Sequence, residues 1–250
     1  MFTLLSNKNQ TITSMQDWLV YSPPAKKEAQ WKDGRSAKEL AKAWFRSGQA
    51  QAPAELSALL QSHPATTGMT LSVGIIEKET ILDDYRGSGR MHDMVLLGST
   101  AEERWLIAIE AKADEPFGKN IGDYLLSSVK ANPNSRVPDR ILQLSQAVFG
   151  SQDVTHLRYQ LLHAAAGALI EANAQQANKA LLIIHEFVPF TGKTSKAKQN
   201  ERYLQDFVAG LSGNPQTLTA GTCLGPFQVP GGGRTPHDIP LYIGKLETVL

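Results

Sequence analysis

The chain has 250 residues, 42% of them hydrophobic and 20% charged, with a formal net charge of +1. That length allows one sizeable core, and twenty glycines with thirteen prolines are close to average usage, which excludes wholesale disorder. A single cysteine, Cys223, excludes an internal disulfide and a Cys-rich zinc site, and as a small buried hydrophobe it fits a reducing, cytoplasmic setting.

Met1 to Gln10 lacks the apolar h-region of a signal peptide, and no apolar run is long enough to span a bilayer. Ser36 reads as a helix N-cap opening a helix over 37–46, and Pro53 opens a second over 54–61. Leu71 to Ile76 reads as a strand. After the turn-rich 83–90 stretch, Met91 to Leu97 and Arg104 to Ala113 read as two further strands joined in a hairpin through 98–103. Asn132 to Asp139 reads as a loop, followed by a helix over 140–149 and the strongest helical segment over 155–173. Ala180 to Ile184 is continuously apolar, as in a strand covered on both faces. A polar helix over 198–211, a Gly/Pro-rich loop around Pro230 to Arg234 and a last strand over 241–249 complete the chain. The connection from Glu110's strand through the long helix to Ala180's strand is long enough for a parallel crossover. The expected fold class is α/β, a mixed central sheet flanked by helices. One domain spans 1–250, with a core at about 50–190, an N-terminal helical extension over 1–49 and a C-terminal elaboration over 191–250.

Charge gives no decision on partners. A near-neutral chain lacks the basic excess of a dedicated nucleic-acid binder. Two local clusters soften that objection: Lys26, Lys27, Lys32, Arg35, Lys38 and Lys42, then Lys193, Lys196, Lys198 and Arg202. Each taken alone reads as a solvated face.

The chemistry concentrates in the hairpin. Side chains alternate along a strand, so Glu110 and Lys112 share a face, and a turn near Ala101 and Glu102 sets Asp93 across from position 109 or 110. Opposed carboxylates repel unless a cation lies between them, and a hard divalent ion, Mg²⁺ or Mn²⁺, is the natural resident. Such an ion polarises a phosphate and acidifies a bound water, while Lys112 orients that water or stabilises the crowded phosphorus. On the long helix, His156, Gln160, His163, Gly167 and Glu171 form a polar stripe. The two histidines lack the i, i+4 spacing of a zinc helix. Neither Pro230 to Arg234 nor Thr191-Gly192-Lys193-Thr194 has the spacing of a phosphate-binding loop.

Asp93 followed by Glu110-Ala111-Lys112 on the next strand resembles the signature of the PD-(D/E)XK nuclease superfamily, the restriction-endonuclease-like fold. The order α-β-β-β-α-β over roughly 50–190 is similar to that superfamily's core, with His92 standing where its proline would precede Asp93. The segments RSAKELAKAW (Arg35 to Trp44), EAKADEPFG (Glu110 to Gly118) and RYQLLHAAAGALIEA (Arg158 to Ala172) resemble an uncharacterised bacterial family placed in that superfamily. The resemblance implies an Mg²⁺- or Mn²⁺-dependent endonuclease on DNA, in defence or repair, with Asp93 and Glu110 as metal ligands, Lys112 as the assisting cation and Gln160 as a helix glutamine near the substrate. It also implies one more carboxylate ligand, with Glu55 on the preceding helix and Glu77 at the end of the first strand as rivals. Two other readings stand beside it: a catalytically inactive interaction or nucleic-acid-binding module, and an RNA-directed nuclease. Cutting both strands with one site per chain favours a homodimer, whereas nicking requires none.

Overall fold

The computed structural model describes residues 2–25 and 30–250, so Lys26 and Lys27 of the first basic cluster lie outside the described residues. Fourteen elements follow in chain order: β1 (Thr3–Ser6), α1 (Met15–Tyr21), α2 (Ser36–Trp44), α3 (Ala54–Gln61), β2 (Thr70–Thr80), β3 (Arg90–Ser99), β4 (Arg104–Lys112), α4 (Ile121–Ala131), α5 (Val137–Phe149), α6 (Tyr159–Ala174), β5 (Lys179–Val188), α7 (Ser195–Ser212), β6 (Thr222–Phe227) and β7 (Leu241–Val249). Seven strands form one mixed sheet in the order β1-β2-β3-β4-β5-β7-β6. The fold is mixed α/β, a central sheet flanked by helices.

Alternation along the strands sorts the core into two halves. Val95, Leu106, Ala108, Leu182 and Ile184 point toward α5, α6 and α7, where Leu161, Leu162, Ala165 and Phe207 meet them. Met94, Leu96, Ile107, Ile109, Leu181 and Ile183 point the other way, onto Leu40, Trp44, Leu56 and Leu59 of α2 and α3. Ala180 to Ile184 is buried throughout, because β5 pairs in parallel with both β4 and β7 and has helices over both faces. The α6 helix is buried almost all round, which explains its run of alanines: small side chains let it lie close over β3, β4 and β5.

The hairpin and the parallel crossover match expectation, with Ser99 paired to Arg104 and Met94 to Ile109. Several elements differ. The 132–139 segment is not a loop throughout, since α5 begins at Val137 with Pro138 in its first turn, a position where a missing N–H costs nothing. The long helix starts at Tyr159, leaving His156 exposed in the turn before it. Ser36 is the first residue of α2 rather than its cap, and the Glu39 carboxylate reaches back to accept the Gly34 N–H at 2.7 Å. Four elements were not expected from the sequence: β1, α1, α4 and β6. No described helix is long and apolar enough to cross a membrane.

Candidate active site at the split of the sheet

The site forms where β3 leaves β4. Their ladder ends at Met94↔Ile109, yet β4 continues along β5 as far as Lys112↔Glu186, and β3 continues along β2 as far as Arg90↔Thr80. The sheet therefore opens between β3 and β4 at this end. Asp93 stands at the fork: its Oδ2 accepts the Ala111 N–H at 2.7 Å, replacing the carbonyl that a continued ladder would have supplied.

Both strands reverse the sense of their faces at the fork. Ile76 and Met94 belong to the core under α2 and α3, but Lys78 and Thr80 reach Glu171 of α6, and Arg90 and His92 lie against Gly167 of α6. Simple alternation would have sent these four side chains to the opposite face. Glu77, in register between Ile76↔Met94 and Lys78↔His92, carries the reversal with φ of +50°, a left-handed conformation that a non-glycine residue rarely adopts.

The reversal delivers Arg90 to Glu110. Arg90 Nη2 donates to Glu110 Oε2, while Lys112 Nζ and Gln160 Nε2 both donate to Oε1, at 2.6 and 2.5 Å. Glu110 and Lys112 are buried, so the cluster sits in a low-dielectric setting where each unpaired charge would be expensive. Burial opposes ionisation of Glu110, but Arg90 and Lys112 outweigh it and hold the carboxyl well below its ordinary range. Burial likewise opposes the Lys112 ammonium, and Glu110 with Asp93 overcomes that, so its pKa is raised.

The remaining two carboxylates are in the opposite condition. Burial, then the charges of Asp93 and Glu110, push Glu77 up to about 8. Burial, then Glu110, raises Asp93. Glu77 and Asp93 line a cleft of about 210 Å³ together with Met91, Arg35, Ser36, Ala37 and Glu115, on the α2 side of the fork. Acidic groups thus collect on that side, held toward their neutral forms, while the cations collect around Glu110.

Asp93, Glu110, Lys112 and Gln160 are brought together, and Glu77 joins them. Glu55 is not with them. It sits in the first turn of α3 over the end of β7, where Arg46 holds it with two hydrogen bonds at 2.9 and 3.2 Å and Thr248 Oγ1 donates at 3.3 Å. The expectation that Glu55 competes for the ligand role is corrected by this placement: α3 packs on β7, two strands away from β4. Of the helix stripe, only His156 is exposed. Gln160 points at Glu110, Gly167 is overlain by His92, and Glu171 is buried against Thr80 and Lys78.

Arg90, Arg35 and Glu115 were not singled out for the site from the sequence. No local pattern marks Arg90, because its arrival depends on the face reversal at Glu77 and Asp93.

Among the described residues, no group of three His, Cys, Asp or Glu side chains converges closely enough to cage a metal ion. The donor chemistry nonetheless fits a hard divalent cation of the kind that takes one or two carboxylates and completes its shell with water and phosphate, since Glu77 and Asp93 carry raised pKa values that a cation would relieve.

A family model described as "Domain of unknown function (DUF6946)" matches residues 11–249. The chain belongs to this family. The match takes in β2 through β7, and hence the fork with all four residues of its charged centre. Comparison with curated proteins and with solved structures gave no match.

Proposed function

We propose that the chain is a metal-dependent phosphodiesterase of the PD-(D/E)XK kind acting on DNA. The observation that carries this reading is the fork itself: Asp93 and Glu110 are adjacent on separating strands, and Lys112 lies one residue-pair further on the same face as Glu110. Supporting it is the mixed α/β fold, in which α3, β2, β3, β4 and the helices lead to a parallel β5, an arrangement consistent with a nuclease-like core.

Asp93 and Glu77 would hold Mg²⁺ or Mn²⁺ in the cleft, with Glu110 at its edge. When bound, the ion supplies Lewis acidity to the scissile phosphate and lowers the pKa of water. The chain's own residues do the rest. Gln160 and Arg90 fix the Glu110 carboxylate so that it cannot rotate away. Lys112, kept charged by Glu110 and Asp93, stabilises negative charge that develops on the phosphate oxygens. Arg35, on the cleft wall, offers a second cation to the phosphate backbone.

One observation favours a second reading. Both Glu110 oxygens are engaged by Arg90, Lys112 and Gln160. A centre neutralised in this way suits a nuclease-fold binding module that retains the residues for stability. Incubating the protein with plasmid DNA, single-stranded DNA and RNA under Mg²⁺, Mn²⁺ or EDTA separates the two. Metal-dependent cleavage that Lys112→Ala abolishes supports the enzyme. Equal inertness of wild type and variant across all metals and substrates leaves the binding module.

A further inference from the structure

A cavity of about 390 Å³ opens on the α6 side of the fork, and the phosphodiesterase reading gives it no role. Its walls are aromatic. Tyr124 of α4 and Tyr159 of α6 stack with centroids 4.4 Å apart and planes 23° from parallel, and His163 stacks with Tyr159 at 5.1 Å and 26°. Three near-parallel rings from two helices thus line one wall, all half-buried, with Lys119 exposed at the rim. Two further lining residues belong to the charged centre. Gln160 binds Glu110, and Phe117 carries the Lys112 ammonium 5.6 Å from its ring centroid.

A core would not leave such a row open. These half-buried rings flank a cavity of a size typical for small ligands. The cavity adjoins the charged centre, since Gln160 binds Glu110 and Phe117 packs against Lys112, the cation proposed to act on a phosphate. Aromatic side chains give unpaired nucleobases a sequence-tolerant stacking partner. We infer that this cavity binds an unpaired base of a single-stranded nucleic acid, stacked on the Tyr124–Tyr159–His163 row, with Lys119 meeting the flanking phosphate. A base paired inside a duplex cannot enter without flipping, so the cavity selects single strands, overhangs or frayed ends. The inference rests on the phosphodiesterase reading for the polarity of the strand, though the binding itself does not require cleavage.

The test uses the full chain in EDTA and the fluorescence anisotropy of short labelled oligonucleotides: single-stranded DNA, the same strand with abasic sites, single-stranded RNA and duplex DNA. Wild type is expected to bind the base-bearing single strands more tightly than the abasic strand or the duplex, and the ratio of DNA to RNA affinity reports which strand the cavity takes. Tyr159→Leu and Tyr124→Leu are each expected to weaken base-bearing single strands about 5- to 100-fold while leaving abasic binding unchanged. Tyr159→Phe keeps the ring and is expected to bind as wild type, which separates loss of stacking from loss of folding. Overturning results are variants that bind base-bearing and abasic strands alike with wild-type affinity, or a wild type that prefers duplex or binds nothing. Cleavage of the same strands with Mg²⁺ by wild type and Lys112→Ala is scored separately. Tyrosine-dependent binding without cleavage keeps the cavity assignment and removes the enzyme, whereas Lys112-dependent cleavage indifferent to both tyrosines removes the cavity assignment alone.

Discussion

The carboxylate of Asp93 accepts the backbone N–H of Ala111 at 2.7 Å, just beyond Met94↔Ile109, the last pair that joins β3 to β4. That bond ends a ladder with a side chain in place of a carbonyl, and so fixes both the angle of the fork and the position of the adjacent Glu110. The charged centre and the two cavities flanking it all follow from this termination.

Gly167 is where α6 passes over the reversed strand. A Cβ there would lie 2.9 Å from the His92 ring and 3.0 Å from Arg90 Cγ. Neither neighbour is a free chain end, since His92 is fully buried. Gly167→Ala is expected to destabilise the protein by about 1–3 kcal/mol and to displace Arg90 from Glu110. Urea denaturation measures the first effect. An unchanged midpoint would show that α6 has room to move.

On the proposed metal-binding reading, an ion that reached Glu110 would compete with Arg90 for its carboxylate. Removing Arg90 leaves Glu110 buried with one cation fewer, at a cost on the order of 3–5 kcal/mol when a buried pair is broken from one side. Arg90→Gln is therefore expected to lower Tm in EDTA. Added Mn²⁺ should recover part of the loss, raising the variant's Tm more than it raises wild type's, because binding to the folded state alone stabilises by mass action. Thermal denaturation across a Mn²⁺ series measures both changes.

The two rival carboxylates predict opposite outcomes. Glu77→Gln removes a proposed carboxylate ligand beside Asp93 and is expected to weaken Mn²⁺ binding about tenfold or more in calorimetric titration. Glu55→Gln loses a surface pair with Arg46, worth about 0–1 kcal/mol, and alters the acceptor for Thr248, both away from the fork, and should leave Mn²⁺ affinity as it is.

His185 supplies a pH dependence away from the site. It is buried, 2.9 Å from Thr248 Oγ1, and burial lowers its pKa to about 3. The unfolded chain takes up this proton near pH 6.5 and the folded chain does not, so the stability held above pH 6.5 is lost as pH falls toward 3. Between pH 6.5 and 5 the loss from this residue is about 2 kcal/mol. His185→Gln is expected to show a shallower decline over that interval by chemical denaturation, and an identical slope would mean that His185 charges without unfolding.

Much of the scaffold could be read from the sequence because it follows period and pattern. Ala180 to Ile184 announces a doubly covered strand, and Glu110 with Lys112 share a face by alternation alone. What escaped depends on tertiary partners. The four residues of β1 are a strand only because β2 offers a parallel edge to them. Helix α4 did have a local signal, the Asn120 side chain accepting the Asp123 N–H in its first turn, which went unread beside the proline-rich loop that follows it. Arg90 escaped for a deeper reason. Strand alternation from Met94 assigns it to the wrong face, and only the left-handed backbone at Glu77, which no residue type advertises, turns it toward Glu110. The preference for Glu55 or Glu77 was likewise a question of which helix packs on which strand, and pattern within one element carries no information about that.

The central claim, that the fork seats a divalent ion, is tested most directly by soaking crystals with Mn²⁺ and calculating an anomalous difference map. The account predicts a peak at the fork in contact with Asp93, with Glu77 or Glu110 as a second ligand and water completing the shell. A map with no peak at the fork, at Mn²⁺ concentrations that support cleavage by other metal-dependent nucleases, would contradict it.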